Sequence, residues 1–259
     1  MFYENEKQYH IAARRGEIGG YCILPGDPAR CEKIAAYLDG AYHLCQNREY
    51  NIFCGTLDGE LVTVCSTGIG GPSTAIAVEE LHACGAHTFI RIGTCGGIDT
   101  RVRAGDAVIA TGAVRQDGTS REYAPIEFPA VPDARVLFAL MRAAESLGIP
   151  HHMGVVQSKD SFYGQHSPTR MPVSEELLSK WEAWKRLRVL ASEMEASTLF
   201  TVGAALDVAC GAVFHTVWNQ ERANAGLDTD ANESHDTDSA IRITVEAIRL
   251  LIQKSREKN

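Results

Sequence analysis

Thr88-Phe-Ile-Arg-Ile-Gly-Thr-Cys-Gly-Gly97 is the stretch on which the reading of this chain turns. Its first five residues have the apolar, β-branched character of a strand, and glycines with a hydroxyl residue follow at once. Arg91 sits inside that apolar run. A buried guanidinium is too costly to keep without an anion. Either Arg91 has a carboxylate partner, or it waits at a strand end for an anionic ligand. Ligands of open α/β sheets bind at the carboxyl ends of strands. Gly93, Gly96 and Gly97 would let a backbone approach such an anion closely.

Outward from this stretch, strands and helices alternate. Residues 21–24 read as a strand stopped by Pro25-Gly-Asp-Pro28. Pro28 suits the first turn of a helix capped by Asp27 and running from Ala29 to Leu38. Residues 48–57 and 61–66 look like paired strands around the turn Leu57-Asp-Gly-Glu60, with Arg48 at a strand start. Thr67-Gly-Ile-Gly-Gly-Pro72 is a glycine loop opening a helix on which Ala77, Val78, Leu81 and Cys84 share a face. Further strands are expected over 106–111, 152–158 and 208–217. Helices are expected over 132–147 and from a Ser174 cap to Leu187. The terminal helix carries Ile241, Val245, Ile248 and Ile252 on one stripe. With no internal repeat or low-complexity linker, residues 1–259 read as a single mixed-sheet α/β domain, its core about 10–253, with helices on the sheet faces.

The global balance narrows the partners. The chain has 259 residues, 45% hydrophobic and 22% charged, with a net charge of −8. That sign argues against nucleic acid or an anionic membrane as a partner. An anion would have to be drawn by a few local arginines. The eight cysteines are scattered without a CxxC pair, which fits a reducing, cytoplasmic setting. The first residues lack a signal-peptide shape, and no apolar run approaches membrane-span length.

Three clusters carry chemistry. Arg30 after Pro-Gly-Asp-Pro, Arg48 and Arg91, together with Thr94 and the glycine turns, read as a candidate phosphate cradle, since arginine pairs with phosphate bidentately and backbone N–H groups supply the rest. Taken singly, Arg30 and Arg48 read more readily as exposed surface residues, and Arg91, with apolar neighbours, does not. Ala191-Ser-Glu-Met-Glu-Ala-Ser197 places two acids around a methionine. It reads equally as an acidic first turn of a helix or as a carboxylate accepting hydrogen bonds from a ribose diol over an apolar Met194 floor. Lys159-Asp-Ser-Phe-Tyr-Gly-Gln-His166 follows a strand and reads as a loop. Phe162 could stack on a flat ring, and Gln165 offers the acceptor and donors that an imide edge needs.

Pro25-Gly-Asp-Pro-Ala-Arg30, Cys65-Ser-Thr-Gly-Ile-Gly-Gly-Pro-Ser73, Arg91-Ile-Gly-Thr94 and Ser192-Glu-Met-Glu195 occur in this order. In combination, and over nearly the whole chain, they resemble the nucleoside phosphorylase-I family, closest to its uridine phosphorylase branch. The resemblance implies a three-layer α/β/α sandwich with a mixed, partly closed central sheet. It implies phosphorolysis of uridine, and of 2′-deoxyuridine, to uracil and ribose 1-phosphate or its deoxy form, with phosphate as co-substrate and no cofactor. By the same resemblance Gly26, Arg30, Arg91 and Thr94 hold the phosphate, and Arg48 reaches it from a neighbouring subunit. His10 likewise crosses to the ribose, which Glu193, Met194 and Glu195 hold. Cys95, Gly96, Phe162 and Gln165 form the base site. Arg91, Glu195 and His166 are the candidate catalytic residues. A homohexamer built as a trimer of dimers is implied. In some relatives the positions of Glu49, Ile69 and Ser73 bind a monovalent cation such as K+ between subunits.

Two positions depart from the family pattern. Ser167 and Gln220 stand where many uridine-cleaving relatives place base-binding arginines. Lys159 and His166 are the expected replacements as donors to the uracil carbonyls, with Arg170 folding back as the competing reading. The rival activities are another nucleoside phosphorylase, a hydrolytic nucleosidase of the same fold, and a non-catalytic nucleoside-binding protein. A purine enzyme would be expected to have an aspartate where Thr216-Val-Trp-Asn219 has none, and a hydrolase would not need Arg30 and Arg91. The polar stretch 220–232 reads as a loop, either a lid or a plain solvated connection.

Overall fold

The computed structural model describes residues 6–228 and 233–257. Its strands are β1 (Tyr21–Pro25), β2 (Asp39–Asn47), β3 (Tyr50–Leu57), β4 (Glu60–Cys65), β5 (Thr88–Gly97), β6 (Ala107–Gln116), β7 (His151–Lys159), β8 (Ala191–Glu193) and β9 (Ala209–Asn219). They form one mixed sheet in the order β2-β3-β4-β1-β5-β8-β7-β6-β9. β9 returns to pair with β5 in parallel along Thr88 to Gly97, so the last five strands close into a barrel. β5 thus belongs to both the open sheet and the barrel.

The helices are α1 (Arg30–Ala35), α2 (Gly71–Ala83), α3 (Thr119–Tyr123), α4 (Ala134–Ser146), α5 (Phe162–His166), α6 (Ser174–Arg186), α7 (Ala196–Ala205), α8 (Gln220–Asn224) and α9 (Asp238–Arg256). Two apolar clusters pack on opposite faces of the sheet, giving the expected three layers. One joins α2 and α7 through Ala77, Val78, Leu81, Leu199 and Phe200. The other joins α1, α4 and α9 through Ile34, Val136, Leu140, Ile241 and Ile248. The predicted stripe of α9 is buried at all four positions, each worth about 1.5–3 kcal/mol.

Several boundaries differ from the sequence reading for identifiable reasons. β2 went unread because its first five residues are exposed on both faces and show no alternation. It is also bulged between Asp39 and Tyr42 and between His43 and Cys45. Arg48 therefore lies in the β2–β3 turn with φ 53°, instead of starting a strand. α1 begins at Arg30 and not at Pro28, and Asp27 accepts from the Ala29 N–H (2.9 Å) in the turn before it. Ser174 lies inside α6 and makes no capping bond. The segment after Lys159 forms the single-turn helix α5, capped by Ser161, whose Oγ accepts from the Gly164 N–H at 2.9 Å. Likewise Gln220–Asn224 is helical, with Asn219 as its cap, while 229–232 lie outside the described residues.

Candidate active site

β5 does not end at Arg91. It continues to Gly97, while its neighbour β1 stops where Pro25 pairs with Ile92. That step opens a cavity of about 910 Å³ at the carboxyl ends of β1, β5 and β7. Gly26, Arg30, Arg91, Thr94, Cys95 and Gly96 line it, as do Lys159, Phe162, Gln165 and His166, with Glu193, Met194 and Glu195 completing the wall. Three segments distant in sequence thereby meet in one place.

At the floor, Arg91 is 5% exposed. Its Nε donates to Glu193 Oε2 at 3.1 Å, and its Nη2 donates to Glu195 Oε2. Burial lowers the Arg91 pKa, but Glu195 and Glu193 more than offset this and the net shift is upward. Among the described residues Nη1 is buried without a hydrogen-bond partner, 3.8 Å from where a Cβ on Gly26 would lie. Arg91 thus has carboxylate partners and also one donor left over. Gly93 serves Arg91 itself, since a Cβ there would come within 2.7 Å of Nη2 and 3.0 Å of Cζ. Gly97 makes room for Asn219 in the same way and stays out of the cavity lining, whereas Gly93 and Gly96 both line the cavity.

Arg30 makes no ion pair among the described residues. Burial lowers its pKa, Asp27 opposes this, and the like charge of Arg91 adds to the lowering. Two guanidinium groups therefore face one volume, with only Arg91 neutralised. An anion placed there would relieve both the repulsion and the orphaned donor.

The two acids are not equivalent. Glu193 is fully enclosed and accepts from Arg91, from Ser158 Oγ and from the backbone N–H groups of Glu195 (2.9 Å) and Ala196 (3.0 Å). It anchors the start of α7. Glu195 accepts from the Gly70 N–H through Oε1 (2.5 Å) and from Arg91 through Oε2. Burial raises its pKa, Arg91 pulls it down, and the net shift is upward. Ser197 and Thr198 donate to Asp117, which holds the first turn of α7 from the β6 side.

On the opposite wall, Lys159 Nζ donates to Ser192 Oγ at 2.7 Å. Burial pushes its pKa down to about 8, against the pull of Glu193 and Glu195. His166 stays exposed at the mouth, its ring 4.3 Å from that of Phe162. Partial enclosure, then the Lys159 charge, push its imidazole below the usual range. Arg170 lies over the Tyr163 ring at 5.3 Å and is absent from the cavity lining.

His10 and Arg48 are also outside this cavity. His10 pairs through Nδ1 with Glu80 Oε1 at 2.6 Å, and Arg48 lies 5.7 Å over the neighbouring Tyr9 ring. Asn47 Nδ2 donates to the His10 carbonyl at 2.7 Å, so the two candidates form one surface patch. Glu49, Ile69 and Ser73 gather at the glycine loop. There Ser73 Oγ donates to the Ile69 carbonyl (3.3 Å), and a Cβ on Gly68 would meet Glu49 Cγ at 2.9 Å.

Comparison with known proteins decides the family. The model of the phosphorylase superfamily matches residues 21–252. The chain belongs to the phosphorylase superfamily. Within that superfamily, it is 54% identical over 252 residues to a uridine phosphorylase of Treponema pallidum (strain Nichols), covering 97% of each chain. A uridine phosphorylase of Thermococcus kodakarensis is 40% identical, covering 98% of this chain and 90% of that one. A guanosine phosphorylase of Halorubrum lacusprofundi is 38% identical, covering 95% and 99%. Superfamily membership fits the fold, with its sheet partly closed into a barrel.

Sequence reasoning missed Ser158, Gly70, Asp117 and Ser192. The first three hold the acids or their helix, and Ser192 joins Lys159 to Gln165. The available signal was Gln157-Ser158, polar residues directly after the apolar pair Val155-Val156. Replacing Arg91 by leucine strands both buried acids, so the unfolding free energy in denaturant titration falls by about 3–5 kcal/mol. Arg91→Lys, which keeps the charge, loses less.

Proposed function

We propose that this protein cleaves uridine by phosphorolysis, giving uracil and ribose 1-phosphate, and acts likewise on 2′-deoxyuridine in pyrimidine nucleoside salvage. The observation that carries this is the unpartnered Nη1 of Arg91 facing the same cavity as the unpaired Arg30, beside Glu195. Phosphate binds Arg30, Arg91, Thr94 and the backbone at Gly26. Glycosidic cleavage builds positive charge on the ribose and negative charge on the leaving base. The phosphate dianion stabilises the first, and the arginines position it. Glu195 holds the ribose hydroxyls over Met194, with Glu193 fixing Glu195 and Arg91 from behind. Phe162 stacks on the base, Gln165 reads its imide edge, and Cys95 and Gly96 flank it. Lys159 and His166 donate to the carbonyl oxygens, where the departing charge collects. A neutral imidazole still supplies one N–H.

The high identity to the Treponema pallidum uridine phosphorylase supports this substrate. A purine reading, suggested by the Halorubrum lacusprofundi relative, is disfavoured at Asn219. Its Nδ2 donates to the Asp99 and Val102 carbonyls, both at 2.8 Å, and its Oδ1 caps α8, leaving nothing for a purine. The reading completes each site with His10 and Arg48 of a neighbouring copy, in a hexamer assembled as a trimer of dimers, with room for K+ at Glu49, Ile69 and Ser73. Free cysteines at all eight positions, together with the relatives, support a cytoplasmic location.

Incubation with uridine should release uracil only when phosphate is present. Release in phosphate-free buffer would show a hydrolase instead. The Lys159 ammonium exists below its pKa of about 8 and is lost as pH rises through it. Accordingly kcat/KM for uridine falls above about pH 8, and Lys159→Met flattens that limb; an unchanged profile in the variant removes Lys159 from the mechanism. Finally, Arg30→Ala and Arg48→Ala proteins are each expected to be impaired alone but to regain activity when co-expressed as mixed oligomers. No recovery would mean that Arg48 serves its own chain.

A further inference from the structure

The base-reading amide of Gln165 is tied, through Ser192, to residues that do not line the cavity. Ser192 Oγ has three polar neighbours: Lys159 Nζ at 2.7 Å, Gln157 Oε1 at 2.7 Å and Gln165 Oε1 at 2.6 Å. A hydroxyl has one proton and two lone pairs. It can accept from the Lys159 ammonium and donate to one amide oxygen, but it has no second proton for the other. One of the two glutamines therefore turns its nitrogen to Ser192, and the surrounding hydrogen bonds say which.

Trp184 fixes the answer from outside. An indole Nε1 can only donate, and it lies 3.3 Å from Gln116 Oε1. That oxygen is also 2.7 Å from Gln157 Nε2. Turning the Gln116 amide would set nitrogen against the indole N–H, and turning the Gln157 amide would set oxygen against oxygen. Both amides are thus locked, and Gln157 Oε1 takes the single Ser192 proton. The remaining Ser192 lone pair calls for a donor. We propose that Trp184, acting through Gln116, Gln157 and Ser192, holds the Gln165 amide with Nε2 on Ser192 and Oε1 turned to the base.

The consequence is specificity, and it rests on the uridine-cleaving reading. An outward acceptor matches a ring nitrogen that carries a proton, as in the imide of uracil. A 4-aminopyrimidine such as cytosine has a bare lone pair at that nitrogen, which faces the Gln165 oxygen unfavourably. Trp184 and Gln116 line a neighbouring cavity of about 420 Å³ that shares Lys159, Gln165 and His166 with the first, but neither belongs to the lining of the first. Both act through Gln157 and Ser192, as positioning residues.

Two measurements test the relay. Neutron diffraction from deuterated crystals of the ligand-free wild-type protein distinguishes ND2 from O. The Gln165 ND2 group facing Ser192 is expected, and an oxygen there overturns the proposal. In steady-state assays, Trp184→Phe keeps an aromatic ring and removes the N–H. KM for uridine is expected to rise about three- to tenfold, the size of one neutral hydrogen bond, with kcat little changed. Cytosine should inhibit that variant more strongly than it inhibits the wild type. Gln116→Leu breaks the next link and should reproduce both effects, so a folding failure of one variant leaves the other decisive. Unchanged KM and cytosine inhibition in a folded variant overturn the relay while leaving the uridine activity standing. If the wild-type protein does not cleave uridine at all, that reading fails, and the diffraction result judges the relay alone.

Discussion

The pairing of one buried cation with two buried acids organises this molecule. Arg91 comes from β5, Glu193 from the end of β8 and Glu195 from the entry to α7. None of the three could remain in the interior alone, because an unpaired buried charge costs several kcal/mol. Their mutual need fixes β8 against the end of β5, where Gly96 and Gly97 pair with Ser192 and Ala191, and sets where α7 begins. The remaining bonds of Glu193 go to Ser158 and to two backbone N–H groups, so β7 is drawn into the same knot. What the cavity presents to a ligand is the remainder: one guanidinium nitrogen, the unpaired Arg30 and the outer lone pairs of Glu195.

That remainder explains how an acidic protein can attract an anion. A net charge of −8 gives no long-range attraction for phosphate. The pull is local, since burial strengthens the field of a guanidinium that water would otherwise screen. The opposite wall uses the same device more weakly. The Lys159 ammonium is buried close to Glu193 and Glu195, and it keeps its proton only up to about pH 8.

Much of the fold is legible in the sequence wherever burial imposes a period. The stripe of α9, the face of α2 and the β3–β4 hairpin around Asp58-Gly59 can all be read directly. β2 cannot, because an exposed strand with two bulges has no pattern to read. The glycines after Arg91 are legible only in part, since Gly93 and Gly96 line the cavity and Gly97 does not. Glycine within a strand and glycine in a turn look alike in sequence, and only the position of the Arg91 side chain reveals that Gly93 makes space for it. In the site, side-chain chemistry points to Arg91, Glu195 and Gln165. Local spacing does not reach Ser192, Gln157 and Gln116, whose roles come from strand register: Gln157 pairs with Ser192, and Gln116 with Lys159.

Closure of the barrel has one more effect. Because β9 turns back onto β5, the sheet among the described residues runs out at a single unpaired edge, β2. An open edge invites strands of other molecules to add on, which is the usual start of ordered aggregation. Here that edge is interrupted by two bulges and begins with Asp39-Gly40, a poor template for a regular ladder. The feature that hid β2 from a reading of the sequence also guards the folded protein against polymerising through its sheet.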